Sequence, residues 1–505
     1  MTAGTIPSGI NGMPLEELLS ALETSEVRGN PHVTVADVTY RSTTVTRGSL
    51  FFCVPGSRTD GHALAADACR QGAAAVMVER WVDVPCTQIR VPSVRAAMGP
   101  VSAALFGRPS ETITVVGVTG TNGKTTTTYL LESIFRAANL RPGVIGTTGV
   151  RIDGEVIPFD RTTPEAPDLQ RLLAEMAGRG VGAAAMEVSS HGLDQHRVDG
   201  TRYRCGVFTN LSQDHLDYHG TMEAYLQAKT RLFTASLSDR GAINWDSPEG
   251  RAIAQQADIE VATFGFGEGA ALRGKDLDLS ARGLSFTVDG IEVRSKLRGA
   301  FNASNCLAAF TAAREVGIST EEIREGIASL AGVPGRLEPV DQGQGFLVLV
   351  DYAHTPDSLD NVLRTARELT DRRVIAVFGC GGDRDRDKRP MMGEVAARLA
   401  DLTVITSDNP RSEDPKAIIA EVERGAVREG GRYVVEPDRR TAIHVALAEA
   451  GEHDVVVIAG KGHETGQEFH DRTIPFDDRT VAAEELRAVL GKDRTPDPSG
   501  PRRVG

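Results

Sequence analysis

Ile113-Thr114-Val115-Val116-Gly117-Val118-Thr119-Gly120-Thr121-Asn122-Gly123-Lys124-Thr125-Thr126 is the stretch that decides the fold. Its apolar first half reads as a buried strand, and its glycine-rich second half as a turn that opens a helix. That succession makes a cradle for the phosphates of a nucleotide. Glycines let backbone N–H groups approach phosphate oxygens, and the helix N-terminus adds partial positive charge. Lys124 is placed to reach the outer phosphates and the Thr125 hydroxyl to meet a magnesium ion. The usual pattern has glycine where Val118 stands, and Gly117 is one residue out of register, so the loop is a variant.

Working outward, the chain keeps repeating strand, turn and helix. Ala183 to Val188 and Cys205 to Asn210 read as further buried strands. So do Phe346 to Val350, Val374 to Phe378, Leu402 to Thr406 and Val455 to Ile458. Such alternation predicts an α/β fold with parallel sheets covered by helices on both faces. Ahead of the loop, Ser49 to Val54 and Ala74 to Val78 are short strands, and Ala63 to Gln71 is a helical stretch. Breaks at Gly107-Arg108-Pro109-Ser110 and at Gly335-Arg336-Leu337-Glu338 divide the chain. The expected domains are 1–108, 109–337 and 338–490, followed by a disordered tail, 491–505, rich in Pro, Asp, Arg and Gly.

Composition narrows the class. A chain of 505 residues with 40% apolar and 25% charged residues suits a multidomain soluble protein. The net charge of −13 argues against a general nucleic-acid surface. Six scattered cysteines without CxxC spacing suit reduced thiols in the cytoplasm better than disulfides or zinc. Met1 to Asn11 carries no leader signal, and no apolar run approaches the ~20 residues that span a bilayer.

Four strands of the last third end in polar clusters: Asp351-Tyr352-Ala353-His354, Gly381-Gly382-Asp383-Arg384, Asp408-Asn409-Pro410-Arg411 and Gly460-Lys461-Gly462-His463-Glu464. In open α/β sheets ligands bind beyond the carboxyl ends of the strands, so these clusters are expected to share one binding rim. The run Asp383 to Arg389 reads largely as a solvated loop with self-compensating charge. Gly379-Cys380-Gly381-Gly382 lacks the closing glycine of a dinucleotide fingerprint. After Asp217, Met222, Tyr225, Leu226, Leu232 and Phe233 form an apolar helical stripe that also holds Lys229. A lysine there must be paired, must snorkel, or must lose its charge, for instance as a carbamate formed with carbon dioxide. Glu187, at a strand end, is a candidate for the same magnesium as Thr125. His215 and His219 have a zinc-like spacing without the accompanying glutamate or a third ligand, which makes zinc the weaker reading.

Gly120 to Thr126, Met186-Glu187-Val188-Ser189-Ser190-His191-Gly192, Asn210 to Asp217 and Asp351 to Pro356 together resemble the Mur ligases of peptidoglycan synthesis. With Asp408 to Arg411 and Gly460 to Glu464, the chain is similar to diaminopimelate-adding members from about Val38 to Arg479. The resemblance implies a uridine-nucleotide domain, a central P-loop ATPase and a C-terminal Rossmann-like domain. It implies a cytosolic ligase of cell-wall synthesis using ATP and Mg2+ on small-molecule substrates; a monomer is expected, although the sequence itself does not fix the oligomeric state. By resemblance, Thr125 and Glu187 hold one magnesium, while His215 and a carbamylated Lys229 (N6-carboxylysine) hold a second. Gly120, Thr121, Asn122, Gly123, Lys124, Thr125, Thr126, Asn305, Arg336 and Asp351 would bind ATP, with His354 near its phosphates. Lys124, Lys229, His215 and His354 would be the catalytic set. Ser42, Thr162, Thr163, Ser189, Gln195 and Arg197 match the muramoyl-dipeptide contacts, although Tyr40-Arg41-Ser42-Thr43-Thr44 departs from the family's usual run there. Arg384, Asp408, Asn409, Pro410, Arg411, Gly460 and Glu464 match the diaminopimelate pocket.

Three other readings compete. A related amide ligase, such as a folylpolyglutamate synthetase or the next muramoyl ligase, is disfavoured by Asp408-Asn409-Pro410-Arg411. A P-loop switch or motor, or a nucleotide-sensing binding protein, would give no role to Lys229 or to the four rim clusters.

Overall fold

The computed structural model describes residues 12–56, 59–159, 161–280 and 282–491. The expectations for Met1 to Asn11 and for the tail beyond 491 lie outside these residues. The described residues fall into two compact units: those within Met1–Leu211, Glu223–Gly274 and Asn305–Ile327, and those within Ser212–Met222, Lys275–Ser304 and Ala328–Gly505.

The first unit carries a two-stranded sheet, Met13–Pro14 with Thr34–Val35, and two larger ones. Of those two, the smaller runs in the order Glu26–Arg28, Thr87–Arg90, Ala75–Val78, Ser49–Phe52, Asp37–Thr39, parallel except for its first strand. Val94, Ala97, Met98 and Val101 of the helix Val94–Leu105 pack on Leu50, Phe52, Met77 and Ile89 of that sheet. The stretch expected as one helix over Ala63 to Gln71 is a 3-10 turn, Gly61–Leu64, followed by a helix over Ala65–Arg70.

In the larger sheet, Thr114–Thr119 lies between Ala183–Glu187 and Cys205–Phe208. All three are parallel, with Val118 opposite Glu187 and Thr119 opposite Phe208. Parallel pairing continues outward through Arg240–Asn244 to Glu260–Gly265 on one side and to Pro142–Gly146 on the other. Every residue of Ala183–Glu187 and Cys205–Phe208 is buried, as strands covered on both faces require. Antiparallel strands Gly149–Ile152 and Glu155–Ile157 extend one side.

The second unit is built on a sheet ordered Glu338–Pro339, Leu347–Asp351, Val455–Ala459, Val374–Phe378, Leu402–Ile405, Tyr433–Val435. All but the first strand run parallel. Successive side chains point to opposite faces. Leu349, Ala376 and Val457 therefore meet the helices Pro356–Glu368, Lys388–Leu399 and Pro415–Glu429. Val348, Val350, Ile375 and Ile458 meet Arg439–Glu449 and Asp478–Val489 on the other face. This unit also has the hairpin Gly283–Val288 with Ile291–Ser295, turned by Asp289 (φ 50°) and Gly290 (φ 77°).

The cysteine expectation is corrected in part. Cys69 and Cys86, 17 residues apart, form a disulfide with their Cα atoms at 5.8 Å. Position in the fold brings them together without any sequence motif. Cys53, Cys205, Cys306 and Cys380 remain buried thiols. Burial pushes Cys53 and Cys380 up to about 12, so both stay protonated at neutral pH. No helix among the described residues is long and apolar enough to cross a membrane.

Candidate active site

In the first unit the loop after Thr114–Thr119 leads directly into the helix Lys124–Ala137. Two of its glycines have no substitute. Gly120 has φ +148°, and a Cβ there would fall 1.9 Å from Thr209 Oγ1. Gly123 has φ +86°, and its Cβ would fall 2.3 Å from Asn305 Oδ1. The loop is tied to the next strand end. Thr121 N donates to Asn210 O at 2.9 Å, Asn122 N to Asn210 Oδ1 at 2.9 Å, and Thr209 Oγ1 to Asn122 O at 2.6 Å. Lys124 Nζ donates to the carbonyls of Gly120 and Thr121 at 2.9 and 2.8 Å. Thr125, Thr126 and Asn305 are buried around the same turn.

Lys229 closes this group. It is 1% exposed on the helix Met222–Thr230. Its Nζ donates to Gly120 O at 2.9 Å and lies 4.5 Å from the centre of the Tyr225 ring. The lysine on the apolar stripe is thus paired and does not snorkel. The stripe itself runs past the helix end, because Leu232 and Phe233 belong to the 3-10 turn Arg231–Phe233.

Glu187 ends the neighbouring strand and is 1% exposed. Its carboxylate accepts from Thr147 N at 2.9 Å and from Thr147 Oγ1 at 3.0 Å. Thr162 Oγ1 is 3.1 Å from the Thr147 hydroxyl. Thr163 Oγ1 donates to Glu187 O at 3.0 Å and accepts from Ser189 N at 2.9 Å. Ser189 caps the short helix Ser190–Asp194. Arg197 donates to Thr163 O at 3.2 Å and to Gln195 Oε1 at 2.6 Å. Thr162, Thr163, Ser189, Gln195 and Arg197 are therefore gathered beside Glu187. Ser42 stands on a separate 3-10 turn, Ser42–Thr44. The departure in sequence there has a structural use: Tyr40 OH and Arg41 Nη2 both donate to Asp168 Oδ2, at 2.8 and 3.3 Å.

In the second unit four adjacent parallel strands end on one edge, and the four clusters meet there. Gly460 N donates to Asp351 O at 3.1 Å and Gly382 N to Asn409 O at 2.9 Å. Asn409 Nδ2 donates to Glu464 Oε2 at 2.9 Å. Arg411, in left-handed backbone (φ 52°), donates Nε to Glu468 Oε2 at 2.9 Å and Nη1 to Gly382 O at 2.8 Å. Asp408 and Pro410 are buried between these partners, and Arg384 is exposed at the edge with Nη1 on Asp383 O at 3.0 Å.

Asp351 Oδ2 and Oδ1 accept from Leu337 N at 2.7 Å and Ala353 N at 2.8 Å. Burial raises the Asp351 carboxyl above its ordinary range, opposed by Arg336 and these N–H groups. Arg336 lies 4.7 Å above the Tyr352 ring. His354 Nδ1 donates to Tyr352 O at 2.8 Å, and burial with nearby Lys388 holds its ring below the usual imidazole range. Burial works to raise Asp214, but His215, His354 and Lys388 together bring it below the usual carboxylate range. His215 sits in left-handed backbone, Nε2 3.4 Å from Asp214 Oδ2. Among the described residues no three His, Cys, Asp or Glu side chains are grouped to hold a metal.

Sequence reasoning missed the support beneath this rim. The run Asp383 to Arg389 is not wholly solvated: Arg389 has no exposed surface and donates to Glu413 at 3.0 and 2.8 Å and to Glu421 at 2.8 Å. Arg439 and Asp478, both fully buried, pair at 2.8 and 2.7 Å. Lys461 is equally buried and touches Asn409 and Glu464.

A phosphate loop at the end of a parallel sheet, and a second parallel sheet whose strand ends carry paired carboxylates and guanidinium groups, define a P-loop α/β protein with a second, polar-rimmed sheet. Residues 34–105 match the Mur ligase family catalytic domain, 118–313 the Mur ligase middle domain, and 335–462 the Mur ligase glutamate ligase domain. The UDP-N-acetylmuramoyl-L-alanyl-D-glutamate--2,6-diaminopimelate ligase of Geobacillus thermodenitrificans (strain NG80-2) is 46% identical over 484 residues, 93% of this chain and 98% of its own. Its Streptomyces coelicolor namesake is 43% identical over 502 residues, covering 96% and 98%. A solved structure of a ligase of the same name superimposes with a TM-score of 0.69 at 34% identity, covering 95% of this chain and 99% of its own. The chain belongs to the Mur ligase family.

Proposed function

We propose that this ligase joins diaminopimelate to the D-glutamyl side-chain (γ) carboxylate of UDP-N-acetylmuramoyl-L-Ala-D-Glu, with ATP as the activating substrate, in cytoplasmic synthesis of the peptidoglycan precursor. The observation that carries this reading is the rim of the second unit, where Asp408, Asn409, Glu464 and Arg411 converge. Carboxylates there can receive an ammonium, and a guanidinium can grip a carboxylate in two-point fashion. That combination suits the second amino-acid end of diaminopimelate, which lysine lacks. A site built around such a pair rejects the analogue that leaves it desolvated and unmatched.

In this account the substrate carboxylate attacks the γ-phosphorus of ATP, ADP leaves, and an acyl phosphate forms. The amine of diaminopimelate then attacks the acyl carbon, and phosphate departs from the tetrahedral intermediate. The reactants are anionic, so rate enhancement comes from cations and placement. Gly120 to Thr126 hold the phosphates through backbone N–H groups, and Lys124 moves from its loop carbonyls to the outer phosphates. Asn305, Arg336 and Asp351 bind the rest of the nucleotide, with His354 near its phosphates. Thr162, Thr163, Ser189, Gln195 and Arg197, with Ser42, orient the dipeptide.

Thr125 and Glu187 fit a magnesium ion by donor chemistry, since both offer hard oxygen atoms beside the phosphate loop. His215 and Lys229 are assigned to a second. The Lys229 amine, buried against Gly120 O, is a cation where a metal needs an anion, and carbamylation reverses its sign. Magnesium would supply neutralisation of the phosphate and carboxylate charge. Incubation with ATP, the UDP-linked dipeptide and diaminopimelate should yield a nucleotide product heavier by one diaminopimelate residue, read by mass spectrometry. An unchanged nucleotide mass with ATP consumed would refute the proposal.

A further inference from the structure

Lys461 has no exposed surface, which demands acceptors for its charge. It finds Asn409 Oδ1 at 2.9 Å and Glu464 Oε2 at 3.1 Å, with Asp408 Oδ1 at 3.8 Å. Asn409 closes the ring by donating Nδ2 to the same Glu464 oxygen at 2.9 Å. The Asn409 Oδ1 atom also accepts the Glu468 N–H at 3.0 Å. The amide therefore has one workable orientation, because turning it over would set its NH2 against two donors. The Glu464 carboxylate is pinned in turn through Oε2.

Charge points the same way. Asp408 and Glu464 bring two negative charges to the rim, and Lys461 offsets one. The other buried cation close by, Arg439, is matched by Asp478 at 2.7 Å. Arg411 is matched by Glu468 at 2.9 Å. Beside Gly460, Asp408 and Glu464 thus bring two carboxylates against the one ammonium of Lys461, an arrangement suited to receiving a second ammonium.

We propose that Lys461 is a positioning residue for amino-acid selection: it fixes Asn409 and Glu464 and tunes the pocket to accept one ammonium group. The proposal rests on the amino-acid-pocket reading above. Lys461 touches its neighbours in the chain, and its effect on the substrate passes through Glu464.

The test is Lys461→Met, which keeps length and removes charge, with Glu464→Gln and the double variant beside it. Loss of a charge-assisted bond of this kind should raise KM for diaminopimelate roughly 10- to 100-fold, with KM for ATP and for the UDP-linked dipeptide within about twofold of wild type. The ratio of kcat/KM for lysine to that for diaminopimelate should rise, because the pocket gains one negative charge and lysine carries one more net positive charge. The double variant should be no worse than Glu464→Gln beyond about twofold, as expected for residues acting in series. Additive losses, or an equal rise in all three KM values, would overturn the assignment. If Glu464→Gln raises KM for diaminopimelate while Lys461→Met does not, Lys461 alone is misassigned. If Glu464→Gln leaves that KM unchanged, the pocket reading falls and takes the proposal with it. Should Lys461→Met fail to fold by thermal melting, Lys461→Gln is the second variant, with the same split expected.

Discussion

Asp478→Asn should unfasten the second unit from beneath its own rim. Arg439 and Asp478 have no solvent exposure. The guanidinium donates Nε to Asp478 Oδ1 at 2.8 Å and Nη2 to Oδ2 at 2.7 Å. Its other contacts are the carbonyls of Ala459 at 2.9 Å and Ser407 at 3.3 Å, the residues immediately before Gly460 and Asp408. Asn keeps the shape but loses the charge and turns one acceptor into a donor facing a donor. Leaving a buried cation uncompensated costs about 3–5 kcal/mol. Against the ~5–15 kcal/mol that holds a domain folded, that is a large fraction. For a unit of this size the loss corresponds to a fall in Tm of roughly 6–20 °C. Calorimetry, with limited proteolysis to assign the transition, is the assay. Arg439→Met with Asp478→Leu should recover most of the loss, since an apolar pair of similar volume asks for no charge compensation. A single variant within about 1 kcal/mol of wild type, or a double variant no better than the single one, would refute the reasoning.

Three further outcomes can be measured. Gly120→Ala should weaken ATP binding by roughly tenfold or more while the far-ultraviolet spectrum stays unchanged, because its Cβ would fall 1.9 Å from Thr209 Oγ1; titration calorimetry reads this, and unaltered affinity would contradict it. Arg411→Ala should raise KM for diaminopimelate by roughly tenfold or more and leave ATP binding within about twofold, whereas equal losses in both would undo the role given to Arg411. Arg389 holds the Glu413 carboxyl down at about 2, from an ordinary 4.5. The stability this pair contributes is therefore complete above pH 4.5 and is lost as pH falls through about 2. The Tm advantage of wild type over Glu413→Gln should shrink across that window, and an advantage that grows with acid would be contrary evidence.

How much of this could be read from the sequence depended on whether the determinant was local. The phosphate loop was legible because glycine, lysine and threonine must stand in a fixed order after a buried strand, and Gly120 and Gly123 cannot be other residues. The rim was legible because its turn residues follow immediately on apolar strands. Its support was not. Arg389 sits among charges that balance within the run itself, while its partners Glu413 and Glu421 lie 24 and 32 residues away. Arg439 and Asp478 are 39 apart, and the Cys69–Cys86 pair is set by packing alone. The hairpin at Asp289-Gly290 is a different case, since an Asp-Gly pair between alternating apolar residues is a turn signal that a closer reading would have caught. Ser42 matched by position only, and it stands on a turn of its own.

Phosphate should be released from ATP only when diaminopimelate is there to be joined. The direct measurement is phosphate release with UDP-N-acetylmuramoyl-L-Ala-D-Glu present, adding meso-diaminopimelate, LL-diaminopimelate, lysine or no amino acid in turn. Release should be stimulated by a diaminopimelate isomer and far less by lysine. Release that lysine supports equally well, or that ignores every amino acid, would contradict this.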